Sequence, residues 1–166
     1  MEISPLNIYQ AKKRIAQYVV RTPLIRAHAL SDLCGAEIRC KLETMQPTGA
    51  FKLRGATNTI LQLTEDQRTC GVVAVSTGNH GRGVAFAARE QNIHAVICLS
   101  GLVPENKVEA IKSLGADVRI IGNSQDEAEI EANRLTEEEG LIQISPFDHP
   151  DVIAGQGTIG LELLED

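Results

Sequence analysis

Apolar and polar positions along the chain change period several times, and each change marks an element. Over residues 7–20, Ile8, Ala11, Ile15 and Val19 fall roughly on one side and Lys12, Lys13 and Arg14 on the other, which predicts an amphipathic helix. Arg21-Thr22-Pro23-Leu24 breaks it, because a residue before proline is driven to extended backbone. Residues 37–42 alternate polar and apolar with period two and predict a half-exposed strand. Beyond them, helices are predicted over 54–63, 80–91, 105–114 and 124–139, and strands over 72–75, 95–99 and 117–121. Strands alternating with helices of this length imply right-handed crossovers and an open parallel sheet covered by helices on both faces, an α/β fold.

Punctuation supports the same reading. Gly115 and Gly140 lie just past helix ends, where a left-handed backbone is common, and Ser124 with Glu127 makes a capping box. Pro104 sits at the mouth of the 105–114 helix, where its missing N–H costs nothing. Residues 143–150 read as a loop, and 151–164 regain helical periodicity with glycines at tight-packing positions. Ile159, Leu161, Leu163 and Leu164 form an apolar cluster with no later segment to cover it, so further chain is expected.

Composition narrows the classes of function. The 166 residues are 43% apolar and 23% charged, a globular composition without low-complexity tracts. A net charge of −6 argues against a nucleic-acid partner, since phosphate backbones are bound through concentrated Lys and Arg. With two Tyr, three Phe and no Trp, a base-stacking platform has little to stand on. No apolar run is long enough for a membrane span, and Met1-Glu2-Ile3-Ser4-Pro5 lacks the features of a secretory leader, which makes the cytoplasm the default location. Cys34, Cys40, Cys70 and Cys98 are widely spaced and His residues are unclustered, so no metal site is expected; reduced structural thiols are. His28, His94 and His149 are read as structural or solvated.

Two segments carry candidate chemistry. In Pro47-Thr48-Gly49-Ala50-Phe51-Lys52-Leu53-Arg54, a turn presents one lysine at the mouth of a helix, either as a solvated cation or as a confined amine that could serve as a nucleophile for Schiff-base formation. In Val72-Val73-Ala74-Val75-Ser76-Thr77-Gly78-Asn79-His80-Gly81-Arg82, a buried strand enters a helix through a small Gly-containing loop, which places backbone N–H groups where an anion is favoured.

Together these segments resemble those of the serine/threonine dehydratase family, fold type II pyridoxal-phosphate enzymes with the tryptophan synthase beta-like fold. Arg21-Thr22-Pro23-Leu24, the Pro104 to Lys107 helix start and the 146–158 segment are similar to it as well, so the resemblance covers residues 21–164. It implies that Lys52 binds pyridoxal 5'-phosphate and acts as the base, that Ser76, Thr77, Gly78, Asn79 and His80 grip the carboxylate of an amino-acid substrate, and that Asn79 also touches the ring hydroxyl. Phe51 is expected to pack near the ring, and Arg54 is either structural or a cation on the phosphate side. The implied domains are 51–148 as a small α/β domain, with 1–50 and 149–166 as parts of a large cofactor-binding domain whose remainder is absent. That remainder would hold a glycine-rich phosphate loop, of which no Gly-Gly-Gly string is present here, and the partner of the pyridine nitrogen. The sequence is therefore read as an N-terminal piece of a longer polypeptide, inactive by itself.

The implied reaction is dehydration and deamination of a β-hydroxy amino acid, threonine- or serine-like. Residues 76–82 and 102–108 are particularly similar to a hydroxyectoine-utilisation subgroup, which would make the substrate hydroxyectoine-derived. Thr77 is the position that weighs on racemisation, because a hydroxyl there could protonate the face opposite Lys52 while its methyl crowds that face; elimination is preferred. Relatives imply a homo-oligomer, dimer or tetramer. The alternatives are an amino-acid racemase of the same family and a non-catalytic α/β module that binds a small carboxylate or a partner chain.

Overall fold

Short β-branched runs that are apolar on both sides can be satisfied only inside a sheet covered on both faces. The computed structural model describes residues 3–76 and 78–166. Its main sheet contains β3 (Val72–Val75), β4 (Ala95–Leu99), β5 (Asp117–Ile120) and β6 (Ile142–Gln143), all parallel, in the order β5-β4-β3-β6. Side-chain alternation divides the core. Val72, Ala74 and Ile97 pack with α3 (Lys52–Ile60), α5 (Asn79–Glu90) and α6 (Glu105–Lys112), while Val73, Val75, Val96 and Cys98 pack with Ala128, Ala132 and Leu135 of α7 (Gln125–Glu139).

The order of the strands decides where the site falls. From β3 through α5, β4 and α6 to β5, the chain moves one way across the sheet with its helices on one face. It then crosses the other face through α7 and lands on the opposite side of β3 as β6. The loops leaving β3 and β6 therefore diverge at the carboxyl edge, which is the topological switch point of an open α/β sheet.

A second layer holds α1 (Pro5–Ile15), α3 and α8 (Pro150–Glu165), beside an antiparallel pair of β1 (Leu24–Arg26) and β2 (Arg39–Lys41). Two glycines let α3 and α8 cross with their backbones almost touching. A Cβ on Gly155 would lie 2.6 Å from Gly55 Cα and 2.7 Å from the Arg54 carbonyl oxygen, so no larger residue fits without separating the helices. The remaining helices are α2 (His28–Cys34) and α4 (Glu65–Cys70), with a 3-10 turn at Glu43–Met45.

Most expected elements are present, with instructive differences. Strands 72–75 and 95–99 keep their expected bounds, Gly115 and Gly140 have φ of 85° and 76°, and Ser124 with Glu127 forms the capping box. The first helix ends at Ile15 rather than Val20. The Gln46 side chain accepts from Val20 N and donates to Val20 O, which satisfies that backbone outside a helix. Periodicity did not reveal α4, which buries no residue and is held by its Thr64–Gln67 capping box, nor the two-residue β6. Of the four thiols, all free, only Cys98 is buried; Cys34 and Cys70 are exposed because each closes a short surface helix just before a glycine. The C-terminal apolar group is split: Ile159 and Leu161 are half-buried, whereas Leu163 and Leu164 are 44% and 86% exposed. Among the described residues, no helix is long and apolar enough to cross a membrane and no group of three metal-ligating side chains occurs.

Candidate active site

The turn before α3 forms because Gly49 takes φ 72° and donates its N–H to the Gln46 carbonyl at 2.7 Å. The helix starts two residues earlier than the sequence suggests, so Lys52 is its first residue. Lys52 Nζ reaches the switch point and donates to the Pro146 carbonyl at 2.6 Å. It also lies 4.9 Å from the Phe147 ring centroid and 5.6 Å from that of Phe51. No carboxylate pairs with it among the described residues. Burial pushes the Lys52 pKa down, because the ammonium loses water and gains no counter-charge. The N-terminal end of a helix, which disfavours a cation, acts in the same direction.

Opposite the amine, Ser76 continues β3 and Gly78 caps α5. Gly78 N donates to Ser76 Oγ at 3.2 Å, closing a short loop whose following amides head the helix. His80 is 4% exposed, and its Nε2 lies 3.0 Å from the Ile144 carbonyl. A carbonyl only accepts, so Nε2 carries the proton and the ring ties α5 to the segment after β6. Burial outweighs the help of that hydrogen bond and, with a smaller push from the Lys52 charge, takes the His80 pKa down to about 4. The imidazole is therefore neutral over the physiological range.

Lys52, Ser76, Gly78, Asn79 and His80 line one cavity of about 270 Å³, together with Val75, Lys107, Gln125, Pro146 and Phe147. Among the described residues, its walls carry the amines of Lys52 and Lys107 and no carboxylate. Phe51 is 41% exposed and stands beside the amine rather than in the wall. Thr77 lies outside the described residues. The sequence reading did not anticipate Lys107, Gln125, Pro146 or Phe147 as lining residues. The last two arrive through topology: β6 falls on the far side of β3 and sends its following loop to the same edge, which a two-residue strand does not announce in the sequence.

Arg54 is resolved as structural. It is wholly buried and forms a two-sided clamp, donating to Glu43 through Nε and Nη2 at 2.8 Å each and to Glu162 through Nη1 and Nη2 at 2.7 and 3.0 Å. Lys41 joins the cluster at 2.9 Å from Glu162 and 2.8 Å from Asp166. Desolvation opposes these charges, yet the bidentate bonds prevail and Glu43 is held below the usual carboxylate range.

Comparison with known proteins decides the family. Residues 15–166 match the family described as "Pyridoxal-phosphate dependent enzyme". The chain belongs to that family. A Sinorhizobium fredii protein provisionally named a threonine dehydratase is 55% identical over 96% of this chain and 48% of its own length. The L-threonine ammonia-lyase of Thermotoga maritima is 46% identical over 96% of this chain and 40% of its own length. The chain thus spans about half, or less, of the length of these relatives. Among solved structures, maize serine racemase superposes with a TM-score of 0.94 at 38% identity, covering 99% of this chain and 50% of that one. The site suits the cofactor of this pyridoxal-phosphate enzyme family: a partly desolvated amine without a counter-charge stands in a cleft whose cationic walls favour an anionic aldehyde.

Proposed function

We propose that Lys52 carries pyridoxal 5'-phosphate in a lyase that removes water and ammonia from a β-hydroxy amino acid of the threonine or serine type. The observation that supports this best is the Lys52 amine itself, desolvated and without a carboxylate at the switch point of the sheet. The bound cofactor supplies an electron sink for charge that develops at the substrate α-carbon. Lys52 Nζ takes the α-proton there, and its lowered pKa increases the fraction present as free base near neutral pH. The amides that open α5, with Ser76 Oγ, hold the substrate carboxylate, and that grip turns the α-hydrogen towards Lys52. His80 stays neutral and keeps the loop against the segment following β6. Asn79 would hold the cofactor at its ring hydroxyl, and Phe51, beside the amine, would shield one side of it from water. The β-hydroxyl, taking up a proton, departs as water, and the released enamine tautomerises and is hydrolysed by one water, so the net products are a 2-oxo acid and ammonia.

The same reading assigns residues 51–148 to a small domain and residues 1–50 and 149–166 to a larger one. It takes the working protein as a cytoplasmic homodimer or homotetramer. Within the substrate class, the resemblance of the 76–82 and 102–108 segments to a hydroxyectoine-utilisation subgroup adds a hydroxyectoine-derived compound to threonine and serine as a candidate. Racemisation is the second reading, supported by the similarity to maize serine racemase. Assays of the intact protein on threonine, serine and 3-hydroxylated analogues separate these outcomes. Oxo-acid release supports the lyase, accumulation of the opposite enantiomer without oxo acid supports the racemase, and inertness towards all of them contradicts both.

A further inference from the structure

Arg82 is half-buried in the first turns of α5, an unfavourable place for a cation because the helix dipole presents its positive end there. Among the described residues no carboxylate offsets that cost. Its one side-chain bond runs from Nη2 to Asn79 Oδ1 at 2.7 Å, one helical turn back. A guanidinium has no acceptor, so the atom of Asn79 that faces it must be the carbonyl oxygen. The amide orientation is thereby fixed, and Nδ2, its only donor, is left for the cavity that Asn79 lines.

We propose that Arg82 is a positioning residue: by holding Asn79 Oδ1, it presents Asn79 Nδ2 as an oriented donor to an anionic oxygen of the bound cofactor. The partial positive charge that Arg82 induces on the amide also strengthens that donor. This inference rests on the reading of the cleft as a pyridoxal-phosphate site. It adds a residue outside the cavity wall, and it ties a charge at the helix start to the geometry of a neutral side chain.

A double-mutant cycle in the intact protein tests it, read by equilibrium binding of pyridoxal 5'-phosphate to the apoprotein and by the pH at which the bound cofactor's visible band titrates. Arg82→Gln should weaken binding roughly fivefold, as expected when one hydrogen bond loses its fixed geometry. In an Asn79→Ala background the same change should have no further effect on affinity, and the titration pH should move with Arg82→Gln only when Asn79 is present. Arg82→Lys, which keeps a cationic donor, should recover the affinity to within about twofold. If Arg82→Gln fails to fold, Arg82→Lys is placed in the cycle, and its smaller loss should likewise vanish with Asn79→Ala. Equal losses in both backgrounds, or parental affinity in Arg82→Gln, overturn the proposal. A parent protein that binds no cofactor at Lys52 removes the reading of the cleft and this proposal together, whereas a parent labelled at Lys52 with additive variants removes this proposal alone.

Discussion

Lys52 and Arg54 stand two residues apart on α3 and are treated in opposite ways. Two residues turn a helix by more than half a revolution, so one cation faces the cleft and the other the layer shared with α8. Arg54 meets Glu43 and Glu162 in bidentate geometry, and its charge is locked in place. Lys52 meets a carbonyl and two aromatic faces, and burial lowers its pKa. Desolvation acts on both groups, and the presence or absence of carboxylates decides the result. A buried cation with counter-charges becomes a fastener, while a half-buried one without them becomes a reactive amine.

The most severe break of this contrast is removal of the amine. Lys52→Ala should lower lyase activity of the intact protein by roughly 10³-fold or more and abolish covalent cofactor attachment. Its thermal melt should stay near the parent's, because no ion pair is lost. The opposite pattern is expected for Glu162→Gln, which leaves Arg54 and Lys41 short of a charge partner. Chemical denaturation should report a loss of about 3 kcal/mol, with cofactor affinity changed far less than stability.

How much of this was legible follows from how local each signal is. The lysine turn, the strand–loop–helix containing Asn79 and His80, and the paired strands β3 and β4 are continuous segments with strong periodicity or glycine punctuation, and they could be read directly. The partners of Arg54 could not. Glu43 and Glu162 are distant from it and from each other in sequence, and a charged side chain gives no sign of burial until packing brings its counter-charges together. Likewise, Pro146 and Phe147 became part of the cleft only because β6 falls beside β3, a consequence of topology carried by a two-residue strand. The exposed Cys34 and Cys70 mark the converse limit, since lying beside an apolar run does not ensure burial.

A pH titration of stability sharpens the contrast from the cleft side. The unfolded chain protonates His80 near pH 6.5, whereas the folded protein resists until about pH 4, so between those values the unfolded state binds more protons. Stability should therefore fall as pH drops through that window, by about 3 kcal/mol in full from this residue. His80→Gln should flatten this part of the denaturation profile. A steeper profile in the variant would contradict the buried, neutral imidazole. The mildest change adds what Lys52 lacks: Gln125→Glu places a carboxylate in the same cavity wall. It should raise the Lys52 pKa, moving the lower limb of the kcat/KM profile up by about half a unit while leaving stability nearly unchanged.

The most direct test of the central claim is borohydride reduction of the cofactor-loaded intact protein, followed by peptide mapping. The account predicts a pyridoxyl group on the peptide that contains Lys52 and its loss in Lys52→Ala. A label on any other lysine, or no label in the parent, would contradict it.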